Sequence, residues 1–432
     1  MSTVLDEPGA LNHDQPDSAG ACGLPTGRPD EHGVDPGRLE RAMAVVEHGC
    51  VDGAFPGGVA LVARHGRVIA TRAVGLAERT PRRRPMTVDA LFDLASLTKV
   101  IAGVTVALTL LEAGVWLLDD AVARFIPAFG RAGKRDITVR HLLTHTSGLP
   151  PWLPCYTAAR TLDETVQFIC ATDLDAAPGT QVQYSDLGMA LIRALALTST
   201  GEDLPSLLER AVFAPLGMRD TGYRPHGPAR TRAVATEHGN RFEQGMVTRA
   251  GQRFDQWRDH VLVGEVNDGN AHHALGGVSS HAGLFASAGD LARFGQLYLQ
   301  EGRWQDRALF SAAVVREATR LQTAGLQEPY GLGWRLNDRG VSAVPAAHRS
   351  SLTRAIFPTN QDAWPPLPLA GDLLSSHAYG HTGFTGVSLV IDPAYDLLLI
   401  LLTNRIHPDA SNGGIERVRA RWHNAVAASI VS

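Results

Sequence analysis

Two hydrophobic patterns bracket the chain. Near its start, GGVALVARHGRVIATRAVG (57–75) places β-rich runs on either side of His65-Gly66, the signature of a hairpin. Near its end, GVSLVIDPAYDLLLILLTN (386–404) places two apolar runs around the turn Asp392-Pro393. Between and beyond these strands the apolar period becomes helical. Asp35-Pro36 reads as a cap and first-turn proline ahead of Leu39, Met43 and Val46 on one face. Leu142-Leu143, the stretch 189–197 and the stretch 207–212 follow the same period. So do Leu291, Phe294 and Leu297 behind a capping Ser287, and Ile415, Val418, Trp422 and Val426 in a closing helix.

Strands from both ends with helices between them predict an α+β fold. One antiparallel sheet is assembled from N- and C-terminal strands and flanked by helices, and a mostly helical domain is inserted in the middle. The expected organisation is a mobile extension over 1–36, a sheet domain over 37–82 and 280–432, and a helical domain over 83–279. Residues 219–270, rich in Gly and Arg, are expected to be irregular. Residues 338–379, with several prolines and two Ser pairs, read as a functional loop. The longest apolar run, Val100 to Leu111, is too short to span a bilayer and predicts a buried helix.

Composition narrows the class. The 432 residues are 44% hydrophobic and 19% charged, which suits a globular enzyme. A net charge of −4 without a basic block points away from nucleic acid; the Arg cluster 79–85 reads as a solvated loop. The first residues lack a basic, then apolar, export signal, so the expected location is cytoplasmic. Four scattered cysteines without a C-x-x-C pair read as free thiols.

The chemistry starts from a rare residue. Of 40 Lys plus Arg, only Lys99 and Lys134 are lysine. Arg keeps its proton near neutral pH, whereas a desolvated Lys can lose it. Lys99 follows Ser96 by three residues at the mouth of the apolar run, so the two share a helix face. The helix N-terminus favours an alkoxide or oxyanion at Ser96. The apolar run is expected to desolvate Lys99 and lower its pKa, and such a Lys activates a Ser nucleophile.

Two further segments complete a pattern: Tyr184-Ser185-Asp186 at the head of a helix, and His381-Thr382-Gly383 directly before a strand. S-x-x-K, Y-x-[N/D] and [K/H]-T-G in that order resemble the signature of the β-lactamase and penicillin-binding protein superfamily. The chain resembles class C β-lactamases, serine DD-peptidases and the related family VIII-like esterases and acyltransferases over about residues 37–430. HLLTHTSGLP (141–150) and the segment 264–294 look like further family segments. The resemblance implies Ser96 as acylated nucleophile and Lys99 and Tyr184 as sharers of the general-base role. It implies that Thr382 and Gly383 line the substrate strand beside His381, with the N–H groups of Ser96 and Phe384 as oxyanion hole. No cofactor and no metal are implied. The partners are a small acyl donor (ester, thioester or amide) and water or a small nucleophile.

Departures from the pattern shape the expected substrate. Many relatives have Asn at the position of Asp186, whose ionised carboxylate cannot donate to an acylamino carbonyl. That carboxylate should also keep Lys99 protonated, leaving Tyr184 as proton acceptor. His381 replaces the commoner Lys; near its ordinary pKa it should bind a substrate carboxylate less well as pH rises. Together these favour a hydrolase of small esters. An acyltransferase of secondary metabolism, a β-lactamase, a D-amino-acid peptidase or amidase, and a catalytically silent binding protein are the alternatives. Cell-wall peptide lies beyond reach of the expected cytoplasmic location. Trp152 is expected to wall the acyl pocket. His141 and His145, four apart on a helix, read as part of the family segment rather than as metal ligands. Asp268 and Asn270 are expected to hydrogen-bond a turn rather than touch substrate, and His272, His273 and His281, in a Gly-rich segment, are expected to pack the loop or contact substrate rather than bind a metal.

Overall fold

The computed structural model describes residues 23–338, 369–411 and 413–431. Seven antiparallel strands form the main sheet: β1 (Gly57–Arg64), β2 (Arg67–Glu78), β3 (Arg84–Pro85), β4 (Arg335–Leu336), β5 (Tyr379–Thr382), β6 (Ser388–Asp392) and β7 (Leu397–Thr403). Their spatial order is β4-β5-β6-β7-β1-β2-β3, so the two terminal hairpins meet along β7 and β1. Leu61 stands opposite Ile400 on one side and Thr71 on the other.

Both faces of this sheet are covered, which explains the near-continuous apolar strands. Val59, Leu61 and Ala63 of β1 enter the core shared with the helical region, and Ala60 and Val62 enter a second core behind the sheet. That second core is closed by α1 (Pro36–Val51) and the final helix, Ile415–Ala427. As expected, Asp35 caps α1 by accepting from the Arg38 N–H, and Leu39, Met43 and Val46 are buried. The front face packs on Ala288–Leu299, where Ser287 accepts from the Asp290 N–H.

Residues 23–36, grouped in the sequence reading with a mobile extension, are tied to the sheet domain. Thr26 bridges to Val68, Val34 bridges to Ile430, and the Arg64 guanidinium donates to the carbonyls of His32 and Gly33. The segment 219–270 is more regular than expected. It holds helices Gly227–Arg232 and Arg241–Arg249 and a pair of short strands, Ala235–His238 and Val261–Val263. The second helix escapes the apolar-period test because a buried carboxyl, Glu243, stands on its inner face beside Met246 and Val247. Most of the loop expected over 338–379 lies outside the described residues. Among the described residues, no helix is long and apolar enough to cross a membrane. Cys50, Cys155 and Cys170 are free.

Candidate active site

Three elements converge at the junction of the sheet and the helical region. The first is the turn before the helix at 97–112. Ala95 adopts φ 43°, a left-handed backbone that is uncommon for alanine, and its N–H donates to Asp93 Oδ1 at 2.9 Å. The turn leaves Ser96 at the head of the helix, followed by a π-helical stretch, Lys99–Val104, and regular helix over Thr105–Glu112. The second element is the N-terminus of the helix Asp186–Thr200, capped by Ser185, whose Oγ accepts from the Gly188 N–H. The third is β5 with the turn that follows it.

Gly383 shows how tightly the third element meets the first. A Cβ there would stand 2.5 Å from the Leu94 carbonyl oxygen and 3.2 Å from the Ala95 Cβ. Thr385 Oγ1 donates to the Asp93 carbonyl at 2.7 Å. The turn bearing Phe384 is thereby fastened to the turn bearing Ser96. Neither the Ser96 nor the Phe384 N–H has an acceptor among the described residues.

Lys99 is fully buried and sits at the centre. Its Nζ donates to Ser96 Oγ at 2.8 Å and to the His281 carbonyl at 3.3 Å, and lies 2.7 Å from Asp186 Oδ1 in an ion pair. The ammonium thus lies among a hydroxyl, a backbone carbonyl and a carboxylate oxygen. Its Nζ also lies 4.8 Å from the centre of the Tyr184 ring. Tyr184 in turn interacts through its phenol with both Lys99 and Ser96. Because Ser96 Oγ accepts from Lys99, its own proton is free to point to the phenol oxygen.

The electrostatics correct one expectation and support another. Burial is the largest influence on Lys99 and does pull its pKa down, as the apolar run suggested. The Asp186 carboxylate, aided by Tyr184, outweighs burial, and the ammonium is pushed up to about 12. Tyr184 is raised above its ordinary value: burial dominates, Lys99 pulls down, and Asp186 pushes up again. The resting pair is therefore an ammonium beside a neutral phenol.

His381 departs from the sequence expectation. It is buried, and burial, reinforced by the Lys99 charge, lowers its pKa to about 3. Its Nδ1 lies 2.7 Å from the Thr382 carbonyl oxygen and, in a neutral ring, donates to it. The imidazole stays uncharged across the neutral range, so the expected weakening of carboxylate binding with rising pH has no titrating group behind it. Trp152, expected at an acyl pocket, is 5% exposed and packs edge-on against Tyr156, with ring centres 6.5 Å apart. That is a core position.

The two histidines of HLLTHTSGLP part company. The His141 ring faces the Thr138 N–H at 3.2 Å in a capping box, while the His145 ring packs at a tilt against Tyr184 with ring centres 4.5 Å apart. Asp268 and Asn270 bond within and beside the loop. Asp268 accepts from the Ala271 N–H at 2.7 Å and lies 3.1 Å from His281 Nε2, and Asn270 donates to the Leu153 carbonyl at 2.8 Å. Sequence reasoning missed that the His281 carbonyl reaches Lys99; backbone contacts leave no signature in residue type.

The Beta-lactamase family profile matches residues 38–421. The N-acetylmuramyl-L-alanine amidase of Bacillus subtilis (strain 168) is 31% identical over 391 residues, covering 86% of this chain and 81% of that protein. A protein of Escherichia coli (strain K12), provisionally named a D-alanyl-D-alanine carboxypeptidase, is 30% identical over 379 residues, covering 83% and 80%. The solved structure of EstCE1, described as a hydrolase with promiscuous acyltransferase activity, superposes with a TM-score of 0.65 at 22% identity, covering 90% of this chain and 99% of that one. The chain belongs to the Beta-lactamase family and is a serine hydrolase of that superfamily.

Proposed function

We propose that this chain is an esterase that hydrolyses small uncharged esters through an acyl-enzyme on Ser96. The observation that carries the proposal is the Lys99 ammonium, held 2.8 Å from Ser96 Oγ and 2.7 Å from Asp186 Oδ1. A lysine so paired keeps its proton, which leaves Tyr184 as the group that takes the proton of Ser96. Ionisation of the phenol is favoured by the adjacent ammonium, and the phenolate accepts the Ser96 proton as Oγ attacks the ester carbonyl carbon. The carbonyl oxygen becomes an oxyanion facing the N–H groups of Ser96 and Phe384, each such donor being worth roughly 3–4 kcal/mol. Collapse breaks the C–O bond to the leaving group, and Tyr184 returns the proton to the departing alkoxide. Water then attacks the acyl carbon while the same phenolate takes its proton; collapse breaks the bond from Ser96 Oγ to that carbon, Tyr184 returns the proton to Oγ, and the acid leaves.

Substrate class follows from charge. Asp186 presents a carboxyl where an Asn would present an amide N–H to an acylamino carbonyl, and neutral His381 offers no cation for a substrate carboxylate. Both features disfavour peptide-like and β-lactam donors relative to plain esters. The test is a panel of activated esters, thioesters, β-lactams, D-alanyl-D-alanine peptides and muramyl amides, the last two drawn from the relatives' names. The proposal requires kcat/KM to be highest for uncharged esters and absent in Ser96→Ala. Preferential turnover of the peptide or the amide overturns it. Adding an alcohol or amine acceptor shows in the same assay whether acyl transfer competes with hydrolysis.

A further inference from the structure

His145 surrounds the backbone of Tyr184 in a way the catalytic scheme does not by itself require. Its carbonyl oxygen accepts from the Gln183 N–H at 2.7 Å, and its ring Nδ1 accepts from the Ser185 N–H at 3.1 Å. One residue therefore binds the chain on both sides of Tyr184. Its ring lies over the Tyr184 ring at 4.5 Å and 35°, and is backed edge-on by Tyr330 at 5.4 Å. To do this His145 adopts φ 58°, a left-handed conformation in which His is one of the better tolerated residues. We infer that His145 is a positioning residue that holds the phenol of Tyr184 in register with Ser96 and Lys99.

The chemistry of the ring supports the role. Accepting from the Ser185 N–H requires Nδ1 to be unprotonated, so the proton of the neutral ring is on Nε2. Burial, followed by the Lys99 and His381 neighbours, holds the pKa of His145 well below the ordinary histidine value. The acceptor therefore persists through the neutral range. The Nε2 atom is buried and has no hydrogen-bond partner among the described residues, so there the ring contributes through Nδ1 and its face. The groups around the phenol are then Lys99, Asp186, Ser96, His145, His381 and Tyr330, and of these side chains His145 also grips the backbone on both sides of Tyr184.

This inference rests on Tyr184 as proton acceptor, so the experiment includes Tyr184→Phe. Asparagine puts its Oδ1 where Nδ1 stands and tolerates a left-handed backbone; glutamine puts its acceptor one bond farther out. His145→Asn should keep kcat within roughly 10-fold of the parent. His145→Gln and His145→Ala should lose about 100-fold in kcat, the cost of a displacement near 1 Å, with KM little changed. In His145→Ala the alkaline limb of the pH–rate profile should move to lower pH, because water admitted beside the phenol relieves the burial that raises its pKa. Equal kcat for the Asn and Gln variants, or an unmoved limb in His145→Ala, overturns the inference. If the alanine variant does not fold, the Asn–Gln pair decides. A fully active Tyr184→Phe overturns instead the reading of Tyr184 on which the inference stands.

Discussion

Asp186→Asn is the most informative single perturbation of this site. The Lys99 pKa stands at about 12 against an ordinary 10.5, although burial pulls it down. Asp186 is the largest cause of the rise, with Tyr184 adding to it, so its removal should forfeit much of that excess of about 1.5 units, on the order of 2 kcal/mol at 1.36 kcal/mol per unit. The carboxylate also raises Tyr184. Both groups should therefore ionise at lower pH in the variant, by about one to three units, the usual range for a charged neighbour at this distance. The assay is kcat/KM for an uncharged ester from about pH 6 to pH 10.5. In the parent, activity should climb on the alkaline side as the phenol ionises; in Asp186→Asn the same limb should lie at lower pH. The amide should also donate to an acylamino carbonyl, so β-lactam turnover should rise relative to ester turnover. A limb that stays in place or moves to higher pH refutes the electrostatic argument, and an unchanged β-lactam-to-ester ratio refutes the specificity argument.

Three other outcomes are expected. KM for an ester carrying a carboxylate should be flat between about pH 5 and pH 8, because His381 is already neutral there, and His381→Lys should lower that KM; steady-state kinetics check both. Gly383→Ala puts a methyl 2.5 Å from the Leu94 oxygen and should drive apart the turns bearing Ser96 and Phe384, with kcat falling by roughly 10²–10³ while circular dichroism shows the fold retained. Glu243 is pushed up to about 8 from 4.5 by burial, then by Asp268. A raised carboxyl costs nothing below its unfolded pKa, and its penalty grows as pH rises towards the folded one. Glu243→Gln, whose amide can still meet the Gly269 N–H and the Tyr156 hydroxyl, should therefore gain thermal stability over the parent at pH 8 and gain little at pH 4.5.

Much of this architecture was readable from residue pattern, for identifiable reasons. The strands Gly57–Arg64 and Leu397–Thr403 are buried on both faces, and their continuous apolar character announced it. The caps Asp35 and Ser287 sit at the start of clear apolar periods, and both cap as expected. Ser96 and Lys99 are close because three residues make nearly one helical turn, and the structure brings Asp186 to the same lysine. What escaped depends on long-range backbone contact or on buried polarity. Nothing in ALFDLASLTK reveals the left-handed Ala95 or the bond from Thr385 to the Asp93 carbonyl. The carbonyl of His281 reaches Lys99 from 182 residues away. The helix Arg241–Arg249 hid because Glu243, a residue that normally faces water, faces inward. The pKa of His381 depends on burial that its sequence neighbours do not disclose.

The covalent step on Ser96 is the most direct thing to measure. Intact-mass analysis after brief mixing with an activated uncharged ester should show one acyl group added, mapped to Ser96 and removed by water on further incubation, with no adduct on Ser96→Ala. An acyl group that maps to another residue, or that still forms on Ser96→Ala, contradicts it.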